Sequence, residues 1–393
     1  MNVEGEILIE LYRSRRRVEK VTIRSSRPLQ LTTLFEGKSV NELLRVVPML
    51  YSVCATAQAS AAAQACRRAT GLDGDVRAEL AEKMLVDVET AREHLWRLLI
   101  DWSNYVEEPV DRSLVSSLST LLPAAKSACF DEGGPFTLRP ALSLDGEGFE
   151  SVIERISKTA AEAVFSMPAD EWHAFDKVET LDRWLDQTST ASAMLLRRIR
   201  DRRTGGLADA GSNPLPSIDH QALGKRLGDV DAEQFIAAPD WMGAQLETTS
   251  LTRMVSHPLL QDLSRRYGFG LMTRMVARLL ELAAIPGRLS RRLEGLRDDP
   301  VDSVSLGAER DEGEGLGEVE AARGRLFHRA VVEKGKIAKY QILAPTEWNF
   351  HPRGMVAKGL LSLPAVDISL LKEYADLFIN TVDPCVGYRL EVV

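Results

Sequence analysis

Cysteine is scarce in this sequence: Cys54, Cys66, Cys129 and Cys385 are four among 393 residues, and no two are spaced as a local zinc-type pair. The start, Met-Asn-Val-Glu-Gly-Glu, carries acid where a secretory signal needs positive charge ahead of an apolar run, so no signal peptide is expected. The four cysteines are then expected to be reduced thiols rather than a disulfide framework. Long apolar runs are also lacking. "LMTRMVARLLELAAIPG", from Leu271, is broken by Arg274, Arg278 and Glu281 and falls short of the ~20 apolar residues of a membrane span. A cytoplasmic protein without a membrane span is the expectation.

Positive charge is in deficit as well. A formal net charge of -8 leaves no broad basic surface for phosphate backbones, and nucleic acid is not an expected partner. "RSRRR" at 13–17 lies between two candidate strands and reads as a solvated hairpin turn. No G-x-G-x-x-G fingerprint, phosphate loop or G-x-S-x-G elbow occurs, and His94, His173, His220, His257, His328 and His351 show no ligand spacing such as H-E-x-x-H.

What is present suffices for a large core, with 45% hydrophobic and 27% charged residues. "GEILIELY" and "VEKVTIR" alternate with period two and predict an N-terminal hairpin within residues 1–30. A helical body follows over 39–296. Its first helix is predicted from Asn41 to Gly71, rich in alanine, with Pro48 either kinking it or marking its start. On a straight helix Cys66 is rotated by about 120° from Cys54, so the two would not share a site.

Further helices are expected over 75–102, 112–129, 148–166, 189–203 and 259–296, the last interrupted near Gly268 and Pro286. Residues 203–217 read as a Gly/Pro/Ser-rich loop and residues 296–320 as a long acidic one. From Arg325 the period returns to two, with a hairpin turning at Lys334-Gly335-Lys336. A helix near Asp367–Asn380 and the terminal cysteine segment complete the 320–393 region. The fold class is therefore α+β, mostly α-helical, in one domain over 1–393, with a small antiparallel sheet from the N-terminal hairpin and the 325–345 hairpin.

Taken alone, Cys54 and Cys385 are two thiols far apart in sequence. Their surroundings are more specific. "EAARGRLFHRAVVEKGKIAKYQILAPTEWNFHPRG" at 320–354 resembles the late part of [NiFe]-hydrogenase large subunits, where E-A-P-R-G leads into a hairpin ending in P-T-x-W-N. "DPCVGY" at 383–388 resembles the D-P-C-x-x-C of that family, and "YSVC" at 51–54 its earlier C-x-x-C. These motifs cover about residues 1–105 and 320–393, and they imply a shortened large-subunit fold.

The departures carry as much as the matches. Tyr51 and Tyr388 stand where the family has two of the four thiolates that hold nickel, and a phenol is a poor substitute for a soft anionic ligand. Gln58 and Glu391 replace two histidines, and a removable C-terminal extension of the family's kind is not expected. No nickel and no catalysis are expected.

With one cysteine left in each motif, the chain resembles large-subunit-like maturation proteins of the HupK/HoxV family. That resemblance implies a scaffold for the Fe(CN)2(CO) fragment, with Cys54 and Cys385 as metal ligands and Arg323 and Thr346 against the cyanides. Guanidinium and hydroxyl donors suit a charge-rich cyanide nitrogen. Cys54 matches a bridging position and Cys385 a terminal nickel position, so binding iron at Cys385 requires a shift of the fragment. Ala322 replaces the proline before the arginine.

Glu4 and Asp101 match two further acidic positions of the family, the first a proton-transfer glutamate and the second an aspartate near the site. The implied partners are maturation chaperones of the HypC/HypD type and an apo hydrogenase large subunit. The competing reading is a metal-free chaperone that mimics the large subunit to bind maturation partners. A relative among the quinone-reducing respiratory subunits of this fold is disfavoured, because "DPCVGY" is retained.

Overall fold

The structure, a computed structural model, describes residues 5–72, 75–131, 133–298 and 308–393. Strand β1 (Glu6–Arg13) pairs antiparallel with β2 (Val18–Ser25), as the alternation predicts. β1 also takes a parallel partner from the other end of the chain, β6 (Gly387–Val392), in the register Ile7 to Tyr388 and Ile9 to Leu390. A second sheet runs β3 (Gly313–Ala321), β4 (Gly324–Glu333), β5 (Lys336–Leu343), all antiparallel. The expected single antiparallel sheet is thus two three-stranded sheets, one of them mixed. The β4–β5 hairpin turns where predicted, with Lys334 and Gly335 both at positive φ, the signature of a tight two-residue turn.

The expected helix over 41–71 is two helices, α1 (Val40–Leu50) and α2 (Ala55–Thr70), with a break at 51–54. Pro48 lies inside α1, one turn before the break. α1 opens on a capping box at Ser39 and Glu42. α2 has no side-chain cap of its own at Cys54. A carboxylate from α3 (Val76–Trp96) supplies it: Glu89 accepts the amides of Thr56 and Ala57 at 2.8 and 2.9 Å. Two orphan donors of the helix start are thereby satisfied and a negative charge sits at its positive end. The thiol of Cys54 is left free for another use.

The acidic stretch expected as a loop over 296–320 is in part a strand. The helix from Leu271 runs to Asp298, passing Pro286 without a break, and Gly313–Ala321 forms β3. Residues 299–307 of that stretch lie outside the described residues. Gly313, Gly315 and Gly317 fall on one face of β3, and that face lies directly on the alanine side of α2. A Cβ at Gly317 would stand 2.0 Å from the Ala61 carbonyl oxygen, and one at Gly315 2.1 Å from that of Ala65. Gly317→Val is expected to cost about 3 kcal/mol, the upper end of the usual range for overpacking, since backbone cannot move aside as a side chain can. A lowered guanidinium midpoint is the readout.

Both faces of the second sheet are buried. Leu326, Ala330 and Val332 face α2, while Phe327 and Leu343 pack with Trp348 and the short helices near 220–237. The largest core surrounds the helix Leu271–Asp298. Its charged residues, which exclude it as a membrane span, are interior ion-pair partners: Arg274 meets Glu247 at 2.6 Å and Glu281 meets Arg253 at 2.5 Å. Among the described residues no helix is long and apolar enough to cross a membrane.

Candidate functional site

The break between α1 and α2, the turn after β5 and the approach to β6 converge on one pocket. It is lined by Arg27, Tyr51, Cys54, Glu347, Cys385 and Val386, among others, with a cavity volume of about 30 Å³. Pockets for organic ligands usually run to ~300–1,000 Å³, so this one is small.

Cys54 enters it from the start of α2, whose amides Glu89 caps. Burial first, then the neighbouring Cys385 and Glu89, push its thiol up to about 12, with Arg323 and the Gln58 amide opposing. It is a thiol at neutral pH, so a metal binding there displaces a proton. Cys385 arrives through an abrupt change of direction. Asp383, at φ 61°, ends the helix Ile368–Val382 in the left-handed region that aspartate tolerates, and Pro384 follows. The Cys385 sulfur lies 3.0 Å from the Thr346 hydroxyl. Thr346 sits on the short helix Pro345–Asn349, which begins with proline and whose Glu347 carboxylate accepts the Ala344 amide at 3.1 Å.

Arg323 occupies the tight turn between β3 and β4 and is buried. Its Nη2 donates to Glu93 at 3.1 Å, and its Nε stands 3.4 Å from Asp383. Its Nη1 is buried with no hydrogen-bond partner among the described residues. A buried guanidinium N–H without an acceptor is costly, and an acceptor in the site would relieve it.

Asp383 itself gathers three arginines: Arg97 at 2.8 Å, Arg323 at 3.4 Å and Arg278 at 3.7 Å. Burial works against its charge, but Arg323, Arg97 and Arg278 outweigh that and hold its carboxyl below the usual range. Arg97 reaches it from a π-helical turn, Arg97–Trp102, a distortion frequent at functional sites.

Of the residues singled out from sequence, Cys54 and Cys385 share the pocket and Thr346 touches Cys385. Arg323 is close enough to bear electrostatically on both thiols. Asp101 is one step removed, accepting from Arg97 at 2.7 Å and from Asn380 at 3.1 Å. Glu4 lies outside the described residues. Tyr51 lines the pocket, 5.9 Å from the Arg27 guanidinium, whereas the Tyr388 hydroxyl turns away to Asp376 at 3.1 Å.

Sequence reasoning missed Arg27, Glu347, Glu93 and Asp383. Arg27 pairs with Glu347 at 2.8 Å over the pocket. Glu347 and Asp383 stand inside the very motifs "PTEWN" and "DPC", and their acidity beside the Thr346 hydroxyl and the Cys385 thiol is the available signal.

Among the described residues no group of three or more His, Cys, Asp and Glu side chains is arranged to hold a bare metal ion. The donor set is two soft sulfurs, a hydroxyl and an unpaired guanidinium N–H. Such a set suits a metal group that brings most of its ligands with it and presents acceptor atoms outward.

His328, on β4, is buried behind Cys54. Burial first, then Arg27, push its imidazole down to about 3. The unfolded chain, with a histidine near ~6.5, binds a proton that the folded one does not. This contribution to stability is fully present above ~6.5 and is lost by about 1.4 kcal/mol per unit as the pH falls towards the folded value. Urea midpoints at neutral pH and one to two units lower are expected to diverge more in the wild type than in His328→Gln.

Residues 209–385 match the nickel-dependent hydrogenase family. The structure superposes on the Ni-Fe-Se hydrogenase of D. vulgaris Hildenborough with a TM-score of 0.70 at 15% identity, covering 95% of this chain and 94% of the other. The fold is that of a nickel-dependent hydrogenase large subunit, mostly helical with small sheets. Along nearly its whole length the sequence is similar to two hydrogenase expression/formation proteins. HupK of Azotobacter vinelandii is 26% identical over 96% of this chain and 95% of its own. HoxV of Cupriavidus necator is 28% identical over 94% of this chain and 92% of its own. The chain is thus similar over nearly its whole length to hydrogenase expression/formation proteins of the HupK/HoxV kind, and the likeness extends across the middle region that the motifs alone did not reach.

Proposed function

We propose that this protein is a non-catalytic accessory of hydrogenase maturation, a scaffold that holds the Fe(CN)2(CO) fragment and passes it to an apo large subunit. The observation that carries this reading is two thiols in one small pocket, within electrostatic reach of a buried guanidinium that has an N–H without a partner among the described residues. Cys54 and Cys385 would bind the iron, while Arg323 and Thr346 would donate to the cyanide nitrogens. The names of the whole-length relatives support a role in hydrogenase expression or formation. With tyrosines at 51 and 388, nickel has too few thiolates, so the iron fragment is the cargo and no hydrogen chemistry is done. Two thiolates hold less firmly than four, which suits a carrier that must release. Partners of the HypC/HypD type would deliver the fragment in the cytoplasm.

The test is an infrared spectrum with iron analysis on protein purified without oxygen from cells with the full maturation machinery. Carbonyl and cyanide bands are expected in the wild type and are expected to vanish in Cys54→Ser and Cys385→Ser. A folded, band-free wild type that still binds maturation partners would instead identify a metal-free chaperone.

A further inference from the structure

Behind Cys54 lies a file of buried polar groups that the scaffold reading does not use. Tyr340 on β5 and His328 on β4 face α2, with the hydroxyl 2.5 Å from Nδ1 of the imidazole. Nε2 of His328 is 2.9 Å from the side-chain oxygen of Gln58. Gln58 stands one helical turn after Cys54, and its amide nitrogen is 3.7 Å from the sulfur. Tyr340, His328 and Gln58 are each at most 1% exposed, so water does not reorder the chain.

The chemistry of each member fixes the direction. A glutamine oxygen only accepts, so the hydrogen on Nε2 of His328 must point at Gln58. A neutral imidazole with its hydrogen on Nε2 has a bare Nδ1, which must accept from the Tyr340 hydroxyl. Burial keeps both groups neutral, holding the phenol protonated and the imidazole unprotonated. The amide of Gln58 is then held so that its NH2 faces sulfur and cannot flip without losing the bond to His328.

We infer that Tyr340, His328 and Gln58 form a one-directional hydrogen-bond relay that aims a donor at the Cys54 sulfur and sets how strongly that sulfur donates to bound metal. The inference deepens the reading of Cys54 as an iron ligand. Gln58, His328 and Tyr340 are positioning residues: a hydrogen bond to a thiolate withdraws charge from it and weakens its donation to the metal, an outer-shell effect. Orientation reaches Gln58 from a phenol two residues removed.

Two measurements test it. In the metal-free protein with nitrogen-labelled histidine, the His328 resonances, assigned by their loss in His328→Gln, are expected to show a protonated Nε2 and a bare Nδ1. Tyr340→Phe, which keeps the ring and its packing against Phe35, is expected to shift that population towards the other tautomer. In cargo-loaded protein, Gln58→Leu is expected to move the carbonyl stretch to lower frequency, because a sulfur freed of its hydrogen bond donates more and the iron back-donates more. Tyr340→Phe should move it the same way by less, and it carries the test if Gln58→Leu does not fold. A His328 with its proton on Nδ1, or a bound carbonyl band that neither variant moves, would overturn the relay. A wild type without carbonyl bands would sink the scaffold reading, and the tautomer would still decide the relay.

Discussion

Asp383→Asn is expected to lower the unfolding free energy of the metal-free protein by about 3–5 kcal/mol, the usual cost of breaking a buried ion pair from one side. Asparagine keeps the volume and a hydrogen-bonding oxygen, so the loss isolates the charge. Without the carboxylate, Arg97, Arg278 and Arg323 would face one another with only Glu93 and Asp101 to share, and Arg278 already leaves its Nε and Nη1 unpaired among the described residues. Asp383 also holds the left-handed turn into the cysteine segment, a conformation asparagine accepts equally well, so backbone strain does not confound the comparison. Guanidinium unfolding measures the effect. A loss below about 1 kcal/mol would mean that desolvation of the cluster nearly cancels its attraction.

The second large effect is on cargo. Arg323→Lys keeps a positive charge near Glu93 and Asp383 but removes the rigid fork whose Nη1 has no acceptor among the described residues. A hydrogen bond to a charged acceptor contributes ~1.5–3 kcal/mol. Retention of the iron fragment is therefore expected to weaken about 10–100-fold, read as faster loss of the infrared bands under a chelator challenge. A variant that melts like the wild type yet loses its bands at the wild-type rate would remove Arg323 from the site.

Most of the large elements were legible in the sequence because each rests on local chemistry. The β4–β5 hairpin shows in alternation plus a Lys-Gly turn, and the helices expected from about Asp75 and Asp367 start there, each capped by that aspartate. What escaped depended on partners distant in sequence. The break at 51–54 is invisible locally because the cap of α2 comes from Glu89, some thirty residues later. β3 was hidden by its acidity, although glycine at every second position is the mark of a strand face pressed onto another backbone. β6 needed β1 to become a strand at all.

The site shows the same division. Cys54, Cys385, Arg323 and Thr346 could be picked out from motifs, whereas Arg27, Glu93 and the three-arginine cluster on Asp383 are assembled only by the packing of remote segments. Charge on those residues reads as solvated surface until the fold encloses it.

The parallel pairing of β1 with β6 also sets a timetable. Residues 6 and 387 are neighbours in space, yet a ribosome adding ~5–20 residues per second makes the second roughly 20–80 s after the first. During that interval β1 offers an unsatisfied edge carrying Ile7, Ile9 and Leu11, all fully buried once folding is complete. Cys385 reaches the pocket in the same late step that covers this edge. Nascent chains stalled before Cys385 would thus expose the β1 edge and lack the second thiol of the pocket at the same time.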